Sequence, residues 1–218
     1  MRTCSRGFLG LALVTVLIGC EGTDPLAPSS DPDGGALGSA AAPVIVVTVP
    51  ITEFPGSASG ISGEATLTRT RDGLWVDQDV EGLTAGNAYS VWWAIFDNPR
   101  GCDGPCDPSD LGRRQAQASL VNGGGFVAEG STQFYGSHLS RHDVEGRHVQ
   151  VGDPSGVDNP YGAEVHVVLR DHGPAETDPA NLAVQISTFS EFCNLPPGIC
   201  RNVSLAVFLP PDAPGLGS

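Results

Sequence analysis

The chain has 218 residues and is acidic, with 25 acidic against 11 basic residues and a formal net charge of −14. Every basic residue is an arginine, because the sequence contains no lysine. This balance, without basic runs, argues against binding to nucleic acid and against electrostatic docking onto anionic lipid. The lack of lysine excludes Schiff-base catalysis. No G-x-S-x-G, P-loop or H-E-x-x-H motif occurs, so we expect no cofactor and favour a role other than catalysis.

The amino-terminal residues have the pattern of an export signal. Arg2 and Arg6 precede the apolar run "GFLGLALVTVLIG", which is too short to span a bilayer. Its end, "LIGC" at residues 17–20, resembles the lipobox of bacterial lipoproteins. The resemblance implies a signal peptide over residues 1–19, cleavage before Cys20 and lipidation of its sulfur. An ordinary signal peptide that ends in cysteine is the alternative. We therefore expect an exported chain, anchored by lipid to a bacterial membrane in the periplasm or at the cell surface.

Two low-complexity segments flank the region that can fold. Residues 20–43 consist mainly of Pro, Gly, Ala, Ser and Asp, which is the composition of a flexible linker. Residues 44–210 are about the size of one globular domain. Residues 211–218 are expected to form a disordered tail. The predicted organisation is an anchored linker followed by a single domain.

The domain reads as a series of short strands. Several runs rich in β-branched and aromatic residues are separated by Gly, Pro, Asn and Asp, and several alternate between apolar and polar residues. No stretch carries a clear helical stripe. The predicted strands span residues 44–54, 64–71, 74–80, 89–96, 144–151, 163–170, 182–189 and 203–209. The pattern predicts an all-β fold.

One motif suggests a specific all-β architecture. Leu83, Gly86 and Tyr89 have the spacing Leu-x-x-Gly-x-x-Tyr, which resembles the tyrosine corner of fibronectin type III domains. The resemblance implies a Greek-key β-sandwich of the immunoglobulin or fibronectin III type, and it says nothing about activity. The "YxVWW" run, the Asn-Pro and Cys loop after it and the late Cys pair also resemble a group of exported bacterial proteins. No activity follows from that likeness, only architecture and export.

Trp92 and Trp93 are adjacent in a predicted strand and must point to opposite faces. Trp93 shares its face with apolar residues only, which predicts that it enters the core; these residues are Tyr89, Val91 and Ile95. Trp92 shares the other face with Phe96. We expect the following cysteine loop to cover this pair, and the alternative is an exposed platform that binds a ligand.

Four cysteines fall in the domain. Asp-Gly-Pro lies between Cys102 and Cys106, and a segment that contains Pro-Pro-Gly lies between Cys193 and Cys200. Turns of this kind bring α-carbons close enough for a disulfide, so we expect pairing within each loop. Crossed pairing and a four-cysteine zinc site are the alternatives.

One face of the predicted strand 163–170 is polar. Glu164, His166 and Arg170 lie on it together with Val168, while Val165, Val167 and Leu169 point inward. Such a row can supply acid–base catalysis or half of a metal site. Polar pairing across strands on a solvated face is the more common arrangement, and we favour it.

Two other segments carry residues of metal-binding type. His138 and His142 stand among Gly and Ser, which predicts a loop. Four aspartates crowd the cysteine loop, as calcium sites require, although solvated acidic loops are common. They are Asp97, Asp103, Asp107 and Asp110.

These observations predict a lipid-anchored, extracytoplasmic β-sandwich that acts as a binding or envelope structural module. Its partners would be the membrane, through the lipid, and an envelope protein or a carbohydrate. The candidate binding residues are Trp92, Phe96, Glu164, His166 and His172. The alternative is a metal-dependent enzyme that uses His166 and His172 with nearby carboxylates, and the sequence does not specify the metal.

Overall fold

The structure, a computed structural model, describes residues 42–141, 148–152 and 157–211. The predicted signal peptide, Cys20, almost all of the linker, His142 and nearly the whole predicted tail lie outside the described residues. The strands in these ranges are β1 (Ile45–Glu53), β2 (Ser62–Thr70), β3 (Gly73–Glu81), β4 (Asn87–Phe96), β5 (Ala118–Val127), β6 (Thr132–Ser140), β7 (Val149–Val151), β8 (Glu164–Pro174) and β9 (Arg201–Phe208). One α-helix, α1 (Pro179–Ser187), and two short 3₁₀ turns, Pro99–Gly101 and Pro108–Gly112, complete the described elements. Within the described part of the chain, no helix has the length and hydropathy needed to cross a membrane.

The strands form one curled antiparallel sheet in the order β6-β3-β2-β1-β9-β8-β4-β5-β7, so the prediction of a mostly β chain is confirmed. The sheet has two halves, β6-β3-β2 and β9-β8-β4-β5-β7, and strand β1 connects them. Residues 45–51 pair with β2, while Thr52 and Glu53 pair with β9. The halves face each other. On β6, Tyr135 Oη and Ser137 Oγ both donate to the carbonyl of Gly123 on β5, at 3.1 and 2.7 Å.

The inner faces of both halves bury a single core. Period-two alternation places every second residue of the central strands in it, as the sequence predicts. Trp93 is fully buried there, and its indole nitrogen donates to Ser137 Oγ at 3.0 Å. Its apolar neighbours in the core include Tyr89, Val91, Ile95, Val165, Val167 and Leu169. The prediction that Trp93 is the core tryptophan is confirmed.

The predicted strand 182–189 is wrong, because this segment lies in and just after α1. The alternating Leu, Val and Ile of the segment suggested a strand. The helix is instead set by its first turn, where Asp178 accepts hydrogen bonds from the backbone nitrogens of Ala180 and Asn181, each at 3.0 Å. An N-cap aspartate followed by proline favours a helix over an extended chain.

Two strands went unpredicted, and His138 lies in one of them. The prediction of a loop at His138 is wrong, because it belongs to β6 and pairs with Trp75 on β3. Strand β5 was missed because of its three successive glycines. They are required by close contacts, since a side chain at Gly123 would collide with the Trp93 indole, and Gly124 adopts a φ of +104°. Tertiary packing here overrides the low strand propensity of glycine.

Candidate ligand pocket

The outer face of β4, β8 and β9 forms the floor of a pocket. In the sheet register Ala94 on β4 lies opposite His166 on β8, which lies opposite Val207 on β9. The same alternation that sends Trp93 inward sends the neighbouring positions to this outer face. The outward side chains of the floor are Trp92, Ala94, Phe96, Glu164, His166, Val168, Leu205 and Val207.

The loop after β4 covers this floor. Cys102 and Cys106 form a disulfide, with an α-carbon separation of 5.2 Å, which confirms the predicted local pairing. Cys106 is buried and packs, with the neighbouring Leu111, against the cluster that contains Trp92 and Phe96. The aromatic pair is fully buried, and the cysteine loop contributes to its cover. The Trp92 ring also makes edge contacts with Phe189 and His148, with ring centres 5.0 and 5.9 Å apart.

The acidic side chains of the loop shape its backbone. Asp107 and Asp110 form a reciprocal cap around the second 3₁₀ turn, with Asp107 Oδ1 accepting from the Ser109 nitrogen at 2.7 Å. The bonds from Ser109 lower the pKa of Asp107. Asp110 is buried and accepts from Arg113 Nε at 3.0 Å. Among the described residues, no three of the loop aspartates bring their oxygens together as a metal site requires.

Between floor and cover lies a cavity of about 480 Å³. Phe54, Pro55 and Phe189 also line it, and the lining is overwhelmingly apolar. Trp92 and Phe96 border it but have no exposed surface, so they support the floor and offer little free area. A cavity of this size and composition, with few polar groups, is typical of a small-molecule site.

Glu164 and His166 place two polar groups in this apolar lining. His166 Nε2 lies 2.7 Å from Glu164 Oε1, and the residues are only 6% and 5% exposed. The expectation of a solvated face is wrong, because Glu164, His166 and Arg170 are all buried. Pairing across strands does occur at Arg170, which bonds Asn202 opposite it on β9, whereas Glu164 and His166 pair along one strand. Within the described chain, no residue bonds the second carboxylate oxygen of Glu164 or Nδ1 of His166. Both atoms remain available to a ligand.

Arg170 closes one end of the same face. Its Nε donates to the Phe189 carbonyl and its Nη1 to Asn202 Oδ1, each at 2.6 Å, and its guanidinium lies 4.0 Å from the centre of the Phe189 ring. Burial lowers the pKa of Arg170 to about 10. The side chain fixes Phe189 as a wall of the pocket.

His172 belongs to a separate buried network. Its Nε2 lies 2.7 Å from Ser90 Oγ, which also accepts from Trp92 Nε1 at 2.9 Å. Its Nδ1 faces the Glu191 carbonyl at 3.3 Å. Because Trp92 donates to Ser90, the consistent arrangement has Ser90 donating to Nε2 and Nδ1–H donating to Glu191. Burial, together with the Arg170 charge, lowers the pKa of His172 to about 4. His172 is therefore neutral and hydrogen-bonded at both nitrogens.

The second disulfide, Cys193–Cys200, lies beside this histidine and confirms the other predicted pair. One ligand atom each of His172, Cys193 and Cys200 falls within 4.8 Å of the others. Both sulfurs are engaged in the disulfide, so they do not act as thiolate ligands in this form. His166 lies six positions before His172, which corresponds to roughly 20 Å along an extended strand. The structure does not bring the two histidines together.

Several pocket residues are not predicted from the sequence. Phe54, Leu111 and Phe189 come from segments far apart in the chain, and no local sequence pattern predicts that they meet. Leu205 and Val207 had a usable signal, because they alternate with buried residues of a strand that was predicted. Comparison with known protein families, with curated proteins and with solved structures finds no match.

Proposed function

We propose that this chain is a lipid-anchored, extracytoplasmic binding module that holds a small, largely apolar molecule in the cavity beneath the disulfide loop. The observation that carries the proposal is the cavity of about 480 Å³, apolar in its lining and closed on one side by a cross-linked loop. A ligand that buries about 200 Å² of apolar surface there would gain on the order of 5 kcal/mol before the cost of association.

The construction of the site supports binding. The Cys102–Cys106 disulfide and the capped 3₁₀ turn hold the cover in place, and the bonds of Arg170 hold Phe189. A wall that is ordered before the ligand arrives loses little conformational entropy on binding. The pocket therefore has the rigidity expected of a receptor site.

Export and anchoring are proposed from different observations. The "LIGC" run and the linker of residues 20–43 support lipidation at Cys20 and a flexible tether. Two disulfides in one small domain are typical of an oxidising compartment. We also propose that the curled sheet is a variant of the Greek-key sandwich, of the kind the Leu-x-x-Gly-x-x-Tyr spacing suggests.

A titration with the neutral fluorescent dye N-phenylnaphthylamine tests the pocket. We expect saturable emission at one site per chain. Ala94 is a small residue of the floor that lines the cavity, so the ring of Ala94→Phe should occupy part of the cavity and sharply reduce the signal. The matched control is Val46→Phe, which adds the same kind of ring at a position 58% exposed on β1. Undiminished binding by folded Ala94→Phe protein, or an equal loss in the control, contradicts the proposal.

A further inference from the structure

We infer that the ligand of this pocket is an organic cation, a compact apolar group that carries a protonated amine. The inference rests on the proposed function and adds the charge of the ligand. Its starting point is the set of ionisable side chains that line the cavity, which in the described chain are Asp107, Glu164 and His166.

The charge of the lining is complementary to a cation. No arginine is among the described lining residues, and the sequence contains no lysine. Arg170, on the same face of β8, has its guanidinium bonded to Phe189 and Asn202 and does not line the cavity. An anionic ligand would therefore meet the Glu164 carboxylate with no arginine or lysine to offset it. The formal charge of −14 also raises the local concentration of cations around the chain.

Glu164 supplies a specific acceptor for the amine. It is only 5% exposed, it lines the cavity, and one of its carboxylate oxygens is bonded to His166 Nε2 at 2.7 Å. The second oxygen has no partner in the described chain. A carboxylate in an apolar, water-poor site attracts a cation more strongly than it would in water, and a charge-assisted hydrogen bond adds direction.

His166 makes the site selective for donors. When neutral, its Nε2–H donates to Glu164 and its Nδ1 is left as an acceptor. The open polar atoms of the pair are then two acceptors, which an ammonium group with its three N–H donors can satisfy. In this form of the pair, a carboxylate or phosphate ligand finds no donor. A neutral alcohol can satisfy one acceptor but brings no charge.

Three probes of the same shape test the charge: cyclohexylmethylamine, cyclohexylmethanol and cyclohexanecarboxylate. Each is titrated calorimetrically into the purified domain near neutral pH and also used to displace N-phenylnaphthylamine. We expect the amine to bind about tenfold or more tightly than the alcohol and the carboxylate to bind weakest. Equal affinities for amine and alcohol overturn the inference and leave the apolar pocket intact. Failure of all three to displace a bound dye also overturns it, whereas absence of dye binding overturns the pocket itself.

Glu164→Gln assigns the effect to one side chain. Glutamine keeps the shape and can still accept from His166, so the amine should lose about tenfold in affinity while the alcohol changes little. The control is Asp79→Asn, which makes the same charge change at an exposed position on β3. Equal losses of amine affinity in the two variants mean that net charge alone attracts the amine, and they overturn the assignment to Glu164. If Glu164→Gln does not fold, the comparison of amine with alcohol on the unchanged protein still decides.

Discussion

Stability should fall on mild acidification because His172 is buried in its neutral form. The imidazole is fully buried between Ser90, Glu191 and the Cys193–Cys200 disulfide. Burial lowers its pKa from an ordinary 6.5 to about 4. Between these two values His172 is protonated in the unfolded chain but not in the folded chain. The free energy of unfolding is therefore greatest above pH 6.5 and decreases toward pH 4.

The size of the effect follows from the two pKa values. If His172 is fully protonated in the unfolded chain and neutral in the folded chain, the free energy of unfolding falls by about 3 kcal/mol. Between about pH 7.5 and about pH 5 the loss is about 2 kcal/mol. Two buried carboxyls act in the opposite sense. Burial raises the pKa values of Asp97 and Asp171 above 3.8, so their protonation on acidification stabilises the folded chain and offsets part of the His172 effect.

Urea titrations of the unmodified protein and of His172→Gln, across the same pH range, measure the effect. Glutamine can keep hydrogen bonds to Ser90 and Glu191 but does not titrate. The variant should therefore start less stable and lose about 2 kcal/mol less than the unmodified protein on acidification. The same pH slope in both proteins would refute the assignment to His172. The carboxyl contributions cancel in the comparison because both proteins carry them.

Four further substitutions test other parts of the structure. Trp93→Ala should lower the free energy of unfolding by about 3 to 5 kcal/mol, since it empties the centre of the inner core, and a loss below about 1 kcal/mol in a urea titration would place that side chain elsewhere. Asp178→Ala should cost about 1 kcal/mol through loss of the α1 cap, and an unchanged urea midpoint would mean that the cap contributes nothing. Cys106→Ser should cost about 2 kcal/mol and weaken dye binding, because the cover loses its cross-link; full affinity in the dye titration would show that the loop is held by other contacts. Cys20→Ser should move the full chain from the membrane pellet to the soluble fraction, and a variant that stays in the pellet would rule out lipidation at that residue.

Local sequence patterns predicted the elements whose neighbours along the chain carry the information. The parity of strand β4 placed Trp93 in the core, and the short turns between cysteines predicted both disulfides. The same kind of reasoning failed at α1, where alternating apolar residues outweighed the Asp178 cap, and at β5, where glycines serve contacts with Trp93. In these two places the decisive partner is either a single cap or a side chain from another strand.

The sequence by itself therefore determined the β-rich class, the inward face of β4 and the local disulfides, because each depends on residues a few positions apart. Only the tertiary structure decided that the polar face of β8 is buried. The sequence predicts that Glu164 and His166 lie on a solvated face. In the structure the loop after β4 and Phe189 cover them, and those segments are distant in the chain. The pocket exists because the packing of these segments leaves a cavity above the outer face of β4, β8 and β9, and no pattern of spacing along the chain encodes that volume.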